Sequence, residues 1–105
     1  MKLLIILSIE EYADEVRQIL VNQRIPIYSE SKIRGCRCDT EEVAIDFENW
    51  FAGEHTMAYS HLFFAFHDQK SVENILSEVD HYNRMDQEKQ ANPLHAYQLD
   101  VEKAV

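Results

Sequence analysis

Two cysteines, Cys36 and Cys38, stand one residue apart and are the residues of this chain best suited to hold a soft metal ion. Zinc and copper(I) prefer thiolates and imidazoles, and His55 is one of several histidines that supply the second kind of ligand. A single Cys-x-Cys pair is a weaker signal than the paired Cys-x-x-Cys units of structural zinc sites. The alternative is two reduced thiols, because this spacing is too short for an unstrained disulfide.

An acidic segment with two large aromatic residues follows the cysteines. Trp50 and Phe51 lie within residues 39–54, which carry a concentrated negative charge. Such a run is usually a solvated loop, but exposed Trp and Phe are costly to leave in water and are frequent interface anchors. We therefore expect Trp50, Phe51 and Glu54 to bind a partner protein. The alternative is that the two aromatic side chains dock on a neighbouring subunit.

No arrangement of catalytic residues is apparent in the sequence. No base is placed beside a nucleophilic cysteine, and the carboxylates are numerous without a recognisable spacing. There is no Gly-x-Gly-x-x-Gly or Gly-x-x-x-x-Gly-Lys run for phosphate. We expect a protein that is not an enzyme. The formal net charge of -9 disfavours nucleic acid and anionic lipid as partners.

The 105 residues are enough for one domain with a single core, and we assign residues 1–105 to that domain. The apolar run near the N-terminus stops at Ile9 and is followed by Glu10 and Glu11, which favours a buried strand over a signal peptide. No stretch approaches the roughly 20 apolar residues that span a bilayer. These features predict a cytoplasmic protein.

The first strand and the first helix are predicted from apolar periodicity. A nearly continuous apolar run indicates a buried strand over residues 3–9. Ser8 and Glu11 have the spacing of a capping box, which predicts that a helix begins there. Asn22 and the following Pro26 are expected to end that helix.

The second strand is predicted over residues 25–35, where apolar or small residues alternate with polar ones and place the isoleucines on one face. Gly35 is expected to turn the chain. Residues 36–57 show neither helical nor strand periodicity, and we expect a long loop there.

The second half of the chain predicts a strand, a helix and a final strand. The aromatic-rich strand spans residues 59–67, with His61 and His67 on one face as hydrogen-bonded interface residues. Asp68 or Ser71 caps the second helix. The last strand spans residues 94–101.

This order predicts an α+β fold, namely a ferredoxin-like βαββαβ sandwich in which an antiparallel sheet carries both helices on one face. The other face would be uncovered, and we expect it to include Ile27, Ile33, Phe63 and Ala65. An apolar face of that size exceeds what monomers usually expose. Another copy of the chain is the obvious cover, and a homo-oligomer is expected.

Three short motifs resemble those of PII signal-transduction proteins and their PII-like relatives. Asp14-Glu-Val-Arg17 is similar to the family's Asp-Val-Arg, and Ser29-Glu-Ser-Lys-Ile-Arg-Gly35 is similar to its Thr-Val-Thr-Glu-Val-Lys-Gly. Asp100-Val-Glu-Lys-Ala-Val105 resembles its Asp-Val-(Ala/Glu)-x-(Val/Ala)-Ile. The resemblance implies a trimer with adenine nucleotides in clefts between subunits. It also implies that the loop at about residues 36–57 is a T-loop that touches partner proteins.

The resemblance further implies particular site residues. The family's ligand positions are occupied here by Ser29, Gly35, Cys36 and Arg37. The family's second phosphate loop, Gly-Asp-Gly-Lys, is replaced by Asn92-Pro-Leu-His95, so that His95 takes the lysine position. This departure favours a PII-like regulatory protein with a different small ligand. It would signal through its loop to a membrane transporter or another regulated protein.

A second function class stays open beside the regulatory one. The alternative is a transition-metal-binding or metal-tolerance protein similar to the CutA-like proteins, with Cys36, Cys38 and His55 as ligands. The candidate ligands are an adenine nucleotide and a divalent transition metal.

Overall fold

The computed structural model describes residues 1–36, 57–85 and 93–105. Across these ranges the chain forms strands β1 Lys2–Ile9, β2 Ser29–Cys36, β3 Met57–His67 and β4 Leu94–Asp100, helices α1 Ala13–Asn22 and α2 Gln69–Met85, and a 3₁₀ turn Glu10–Tyr12. The predicted α+β class is confirmed, with one four-stranded antiparallel sheet and two helices among the described residues. Neither described helix is long and apolar enough to cross a membrane.

The four strands form one sheet in the order β2-β3-β1-β4, and each neighbouring pair is antiparallel. This arrangement is compatible with a ferredoxin-like fold. Strand β1 runs toward the end of the sheet where β2 ends and β3 begins, because Ile9 pairs with Ser60 of β3. The 3₁₀ turn that follows β1 therefore lies at the same end of the sheet as the hairpin strands that flank residues 37–56.

Both helices pack on one face of the sheet and enclose the core. The core consists of apolar side chains that are at least nine-tenths buried: Leu4, Ile6, Ala13, Val16, Leu20, Ile25, Phe63, Ala65, Val72, Ile75, Val79 and Leu94. Phe63 and Ala65 belong to this helix-covered face, so the prediction that they lie on the uncovered face is wrong. Ile27 precedes β2 and is 80% exposed, so it does not belong to the strand either.

The opposite face of the sheet carries apolar side chains from all four strands, and six of them form two neighbouring rows. Tyr97, Ile5 and Phe64 form one row, and Leu99, Leu3 and Phe66 form the next; we call these six residues the apolar face. Phe66, Leu99 and Tyr97 are 53%, 45% and 43% exposed. Both described helices pack on the other side of the sheet, so this face has no cover within the described residues.

The start of α1 differs from the prediction. Ser8 is not a helix cap but a fully buried residue of β1, opposite His61 on one side and Leu94 on the other. Its hydroxyl has no hydrogen-bond partner among the described residues. The 3₁₀ turn intervenes, and Tyr12 precedes α1 without a capping side chain. The strand continues past Ser8 because its backbone pairs on both sides.

The end of α1 explains why β2 starts later than expected. Arg24 adopts a left-handed backbone conformation with a φ of 58°. Its N–H donates to the Val21 carbonyl, and the Ile25 N–H donates to the Leu20 carbonyl, which is the Schellman arrangement. Ile25 is thereby turned into the core beside Leu20. The isoleucine that appeared to begin a strand instead closes the helix.

Helix α2 is fixed at both ends by side chains. Asp68 caps its start, since the Ser71 backbone N–H donates to Asp68 Oδ1 at 2.8 Å, and this confirms one of the two predicted caps. Near the other end, Asn83 Nδ2 donates to the Leu94 carbonyl at 2.9 Å, and the Leu94 N–H donates to Asn83 Oδ1 at 3.2 Å. The Asn83 amide therefore ties α2 to the first residue of β4.

Candidate functional site

The two strands that flank residues 37–56 are paired to their last described residues. Cys36 is opposite Met57, and Gly35 is opposite Ala58. Gly35 has no positive φ and continues the ladder, so the predicted turn at this glycine is wrong. Glycine can adopt an extended conformation as well as a turn. At Gly35 the pairing with Ala58 of β3 keeps the backbone extended. Strands β2 and β3 therefore form a regular antiparallel hairpin up to Cys36 and Met57, and residues 37–56 connect these two ends.

The predicted ligand residues Ser29 and His95 lie on opposite edges of the sheet. Ser29 begins β2 and His95 is in β4, with β3 and β1 between them. Three strand spacings separate the two edges by roughly 14 Å. A single chain therefore does not bring these two residues together. Only an assembly of chains can bring a β2 edge to a β4 edge.

His95 is half-buried in β4, where it is paired with Leu7. Burial lowers the pKa of His95 below its ordinary value, because a poorly hydrated site disfavours the charged form. The imidazole is consequently neutral at pH 7. A neutral imidazole donates or accepts a hydrogen bond but supplies no fixed positive charge for a phosphate.

Several predicted site residues fall outside the described part of the chain. Arg37 and Cys38, the other members of the loop base, are among them. So are the predicted partner-binding residues Trp50, Phe51 and Glu54 and the predicted metal ligand His55. Within residues 1–36, 57–85 and 93–105 there is no group of three or more His, Cys, Asp or Glu that could hold a metal ion.

A group of five polar side chains lies on the helix side of the hairpin formed by β2 and β3; we call Glu10, Arg17, Glu30, Lys32 and His61 the polar cluster. Glu10, from the 3₁₀ turn, has Oε1 3.0 Å from Lys32 Nζ and 4.0 Å from His61 Nε2. The hydrogen bond and charge of Lys32 lower the pKa of Glu10. The turn is thus connected to both hairpin strands.

Arg17 anchors the other half of the polar cluster. Its Nε and Nη2 donate to the two carboxylate oxygens of Glu30 at 2.9 and 2.7 Å, a bidentate geometry. It also contacts Asp14, and its guanidinium carbon lies 5.9 Å from the centre of the Phe63 ring. The hydrogen bonds from Arg17 are the main reason that the pKa of Glu30 is lowered, and they raise the pKa of Arg17. Both groups are therefore charged at neutral pH.

Sequence reasoning missed the polar cluster as a unit. The sequence predicts His61 only as a hydrogen-bonded interface residue, and it assigns Arg17 no role in a site. The alternation of residues within β2 places Glu30 and Lys32 on one face, and this is the signal in the sequence for a charged surface. Which charges meet there depends on how α1 crosses the sheet, and periodicity carries no information about that crossing.

A groove of about 790 Å³ follows the edge strand β4. Its lining includes Ile5, Leu76, Tyr97 and Leu99, and its charged member is Glu73. The groove borders the apolar face on one side and α2 on the other. An apolar lining with one carboxylate suits an apolar or uncharged group better than a phosphate.

No protein-family model matches the sequence, and no curated protein matches it significantly.

Proposed function

We propose that this chain is a non-enzymatic, PII-like regulatory protein of the cytoplasm with a ferredoxin-like βαββαβ sandwich. It binds a small ligand in clefts between the subunits of a homotrimer. It signals through residues 36–57 to a partner protein, such as a membrane transporter. The observation that carries this proposal is the apolar face, which lies opposite both described helices in a sheet of order β2-β3-β1-β4.

The apolar face supports an assembly of copies. Phe66, Leu99 and Tyr97 each leave about half of their surface in water in a single chain. Burying apolar area stabilises by about 25 cal/mol per Å², so contact between copies through this face is favourable. We expect the same assembly to place the sheet edges of neighbouring subunits side by side, so that Ser29 of one copy meets His95 of another.

The ligand is expected to depend little on fixed positive charge. His95 is neutral where the family has a lysine, and the glycines that would let backbone amides approach a phosphate are replaced by Asn92-Pro-Leu. Adenine nucleotides are the first class to test, because the resemblance implies them. Divalent transition metals are the second, because they distinguish the CutA-like alternative.

Thermal unfolding with a panel of adenine nucleotides and divalent metals tests the proposal. A ligand that binds only the folded state is expected to raise the melting temperature by roughly 5 °C or more near saturation. The shift should be lost in His95→Ala and kept in His81→Ala, because His81 is an exposed histidine of α2. Trp50 is the single tryptophan of the sequence, and its fluorescence in the same samples reports whether residues 36–57 respond.

The same measurements can overturn the proposal. A zinc shift that Cys38→Ser abolishes and His95→Ala leaves intact would support the metal-binding alternative. A nucleotide that binds tightly but changes neither Trp50 emission nor its quenching by iodide would remove the signalling step. A chain that is monomeric by light scattering would remove the clefts themselves.

A further inference from the structure

His61 lies between two carboxylates that belong to different elements. Its Nδ1 is 3.4 Å from Glu30 Oε2 and its Nε2 is 4.0 Å from Glu10 Oε1. The side chain is only 13% exposed and stacks on Phe63, with ring centres 6.2 Å apart. Nδ1 is buried and makes no hydrogen bond of ordinary geometry to a described residue. The imidazole is thus held in place without its hydrogen bonds being completed.

Three of the four described elements around His61 contribute charged side chains to its surroundings. The 3₁₀ turn contributes Glu10, β2 contributes Glu30 and Lys32, and α1 contributes Arg17. Strand β1 contributes the uncharged Ser8, which is paired with His61. Each of the two cations already contacts a carboxylate, namely Lys32 at Glu10 and Arg17 at Glu30.

Asp14, which also contacts Arg17, brings the carboxylates of this group to three against two cations. One more positive charge at His61 would balance them. A neutral imidazole has one N–H and can donate to only one of its two carboxylates, whereas the imidazolium donates from both nitrogens. We propose that protonation of His61 clamps the 3₁₀ turn to the β2–β3 hairpin by bridging Glu10 and Glu30.

The clamp acts at the end of the sheet from which residues 37–56 leave. Lys32 and His61 lie on the two hairpin strands, four residues before Cys36 and four after Met57. Histidine is the side chain whose charge ordinarily changes between about pH 5 and pH 8. The clamp is therefore expected to tighten the hairpin against the turn at acidic pH and to release it at alkaline pH. This inference does not depend on the proposed regulatory function.

A double-mutant cycle between Glu10→Gln and His61→Gln tests the clamp. Urea unfolding of the four proteins is measured at about pH 8 and about pH 5.5, which bracket ordinary histidine titration. At the acidic pH we expect the coupling between the two sites to change the folding equilibrium constant about threefold or more. At the alkaline pH we expect almost no coupling. The sign follows because only the protonated ring gains the second carboxylate, so the added stability is lost as pH rises.

Two exposed residues provide matched controls. Glu11→Gln removes a neighbouring carboxylate of the same 3₁₀ turn, and His81→Gln removes an exposed histidine of α2. Both variants should change stability by the same factor at the two pH values. If His61→Gln does not fold, the destabilisation by Glu10→Gln at the two pH values tests the clamp on its own. The Glu10–Lys32 pair is charged at both pH values, so only the contact with His61 varies. Equal coupling, or equal destabilisation by Glu10→Gln, at the two pH values would overturn the clamp.

Discussion

Arg17 connects the first helix to the sheet through one side chain. Its guanidinium donates two hydrogen bonds to Glu30 and contacts Asp14 on the same helix. It also lies over the Phe63 ring in the core. The planar fork of arginine suits this combination, because it binds a carboxylate at its edge while its face rests on an aromatic ring. About a third of each of the Arg17 and Glu30 side chains is exposed, so water weakens the pair without removing it.

Replacing Arg17 tests how much this contact stabilises the fold. Arg17→Gln is expected to lower the free energy of unfolding by about 1 kcal/mol at pH 7, which is near the upper end for a partly exposed pair. The ordinary pKa of Glu30 is 4.5 and folding lowers it. The carboxylate's contribution is therefore present above that value and is lost as pH falls through the lowered pKa. The difference between the two proteins in urea unfolding should shrink at about pH 3.

Arg84→Gln is the matched control for this prediction. Arg84 pairs with Asp80 one helical turn away at 3.2 Å, and both side chains are mostly exposed. Such a pair contributes about 0.5 kcal/mol or less. If Arg17→Gln costs no more than Arg84→Gln, or costs the same at both pH values, the ion pair with Glu30 does not stabilise the fold.

At the scale of the elements, helix α1 ends in a left-handed backbone conformation at Arg24, a conformation that arginine disfavours. Arg24 occupies the left-handed position of a Schellman motif, where glycine is the usual residue. A side chain at such a position costs about 1 kcal/mol relative to glycine. The hydrogen bonds from Arg24 and Ile25 and the burial of Ile25 outweigh that cost.

Arg24→Gly is expected to raise the free energy of unfolding by about 0.5–1 kcal/mol. The relief of the left-handed conformation exceeds the extra entropy that glycine gives the unfolded chain. Gln23→Gly is the control, because Gln23 has a φ of -86° and gains no such relief. Thermal or urea unfolding measures both. A destabilised Arg24→Gly would mean that the arginine side chain itself supports the turn.

The helices are predictable because their apolar periodicity is strong, and three of the strands are predictable because their apolar runs are local features of the sequence. The errors at the element boundaries have two different causes. Ser8 has the residue type and spacing of a cap, but pairing with His61 and Leu94 keeps it in β1. Ile25 has the alternation of a strand, but the end of α1 turns it into the core. For Ser8, pairing with other strands overrides the local preference, and for Ile25 the end of the preceding helix does.

Which face of a strand the helices cover was the least predictable feature. Residues 62–66 of β3 are apolar without interruption, so both faces fit the same pattern. The helices cover Phe63 and Ala65 and leave Phe66 half-exposed. The polar cluster was beyond prediction for a similar reason, because its contacts join residues of four different elements.

At the scale of the whole molecule, the apolar face determines whether the chain is a monomer or an oligomer. Its six side chains span β4, β1 and β3 and form a contiguous patch of the kind that marks protein interfaces. The net charge of -9 on each chain opposes association through long-range repulsion. Association is therefore expected to strengthen with salt, which screens the repulsion and leaves apolar contact intact.

Phe66→Lys tests this association. The wild-type chain is expected to be a trimer at micromolar concentration by light scattering, and the variant is expected to be largely monomeric because it places a charge inside the contact. Val21→Lys is the control, since Val21 is 63% exposed on α1, away from the apolar face. A wild-type monomer would contradict the prediction. So would a Phe66→Lys variant that assembles as well as Val21→Lys.

The amide of Asn83 has a further consequence for the free edge of the sheet. It offers Leu94 the same donor and acceptor that an adjoining strand would offer. An unprotected edge strand is a template for pairing with other chains and hence for aggregation. In an antiparallel edge the outward-facing peptide groups recur at every second residue, so the next ones after Leu94 belong to Ala96 and Gln98. A strand from another molecule would therefore find the peptide groups of Leu94 already bonded, which limits fibre-like growth along this edge. Any added strand would have to begin its pairing at Ala96.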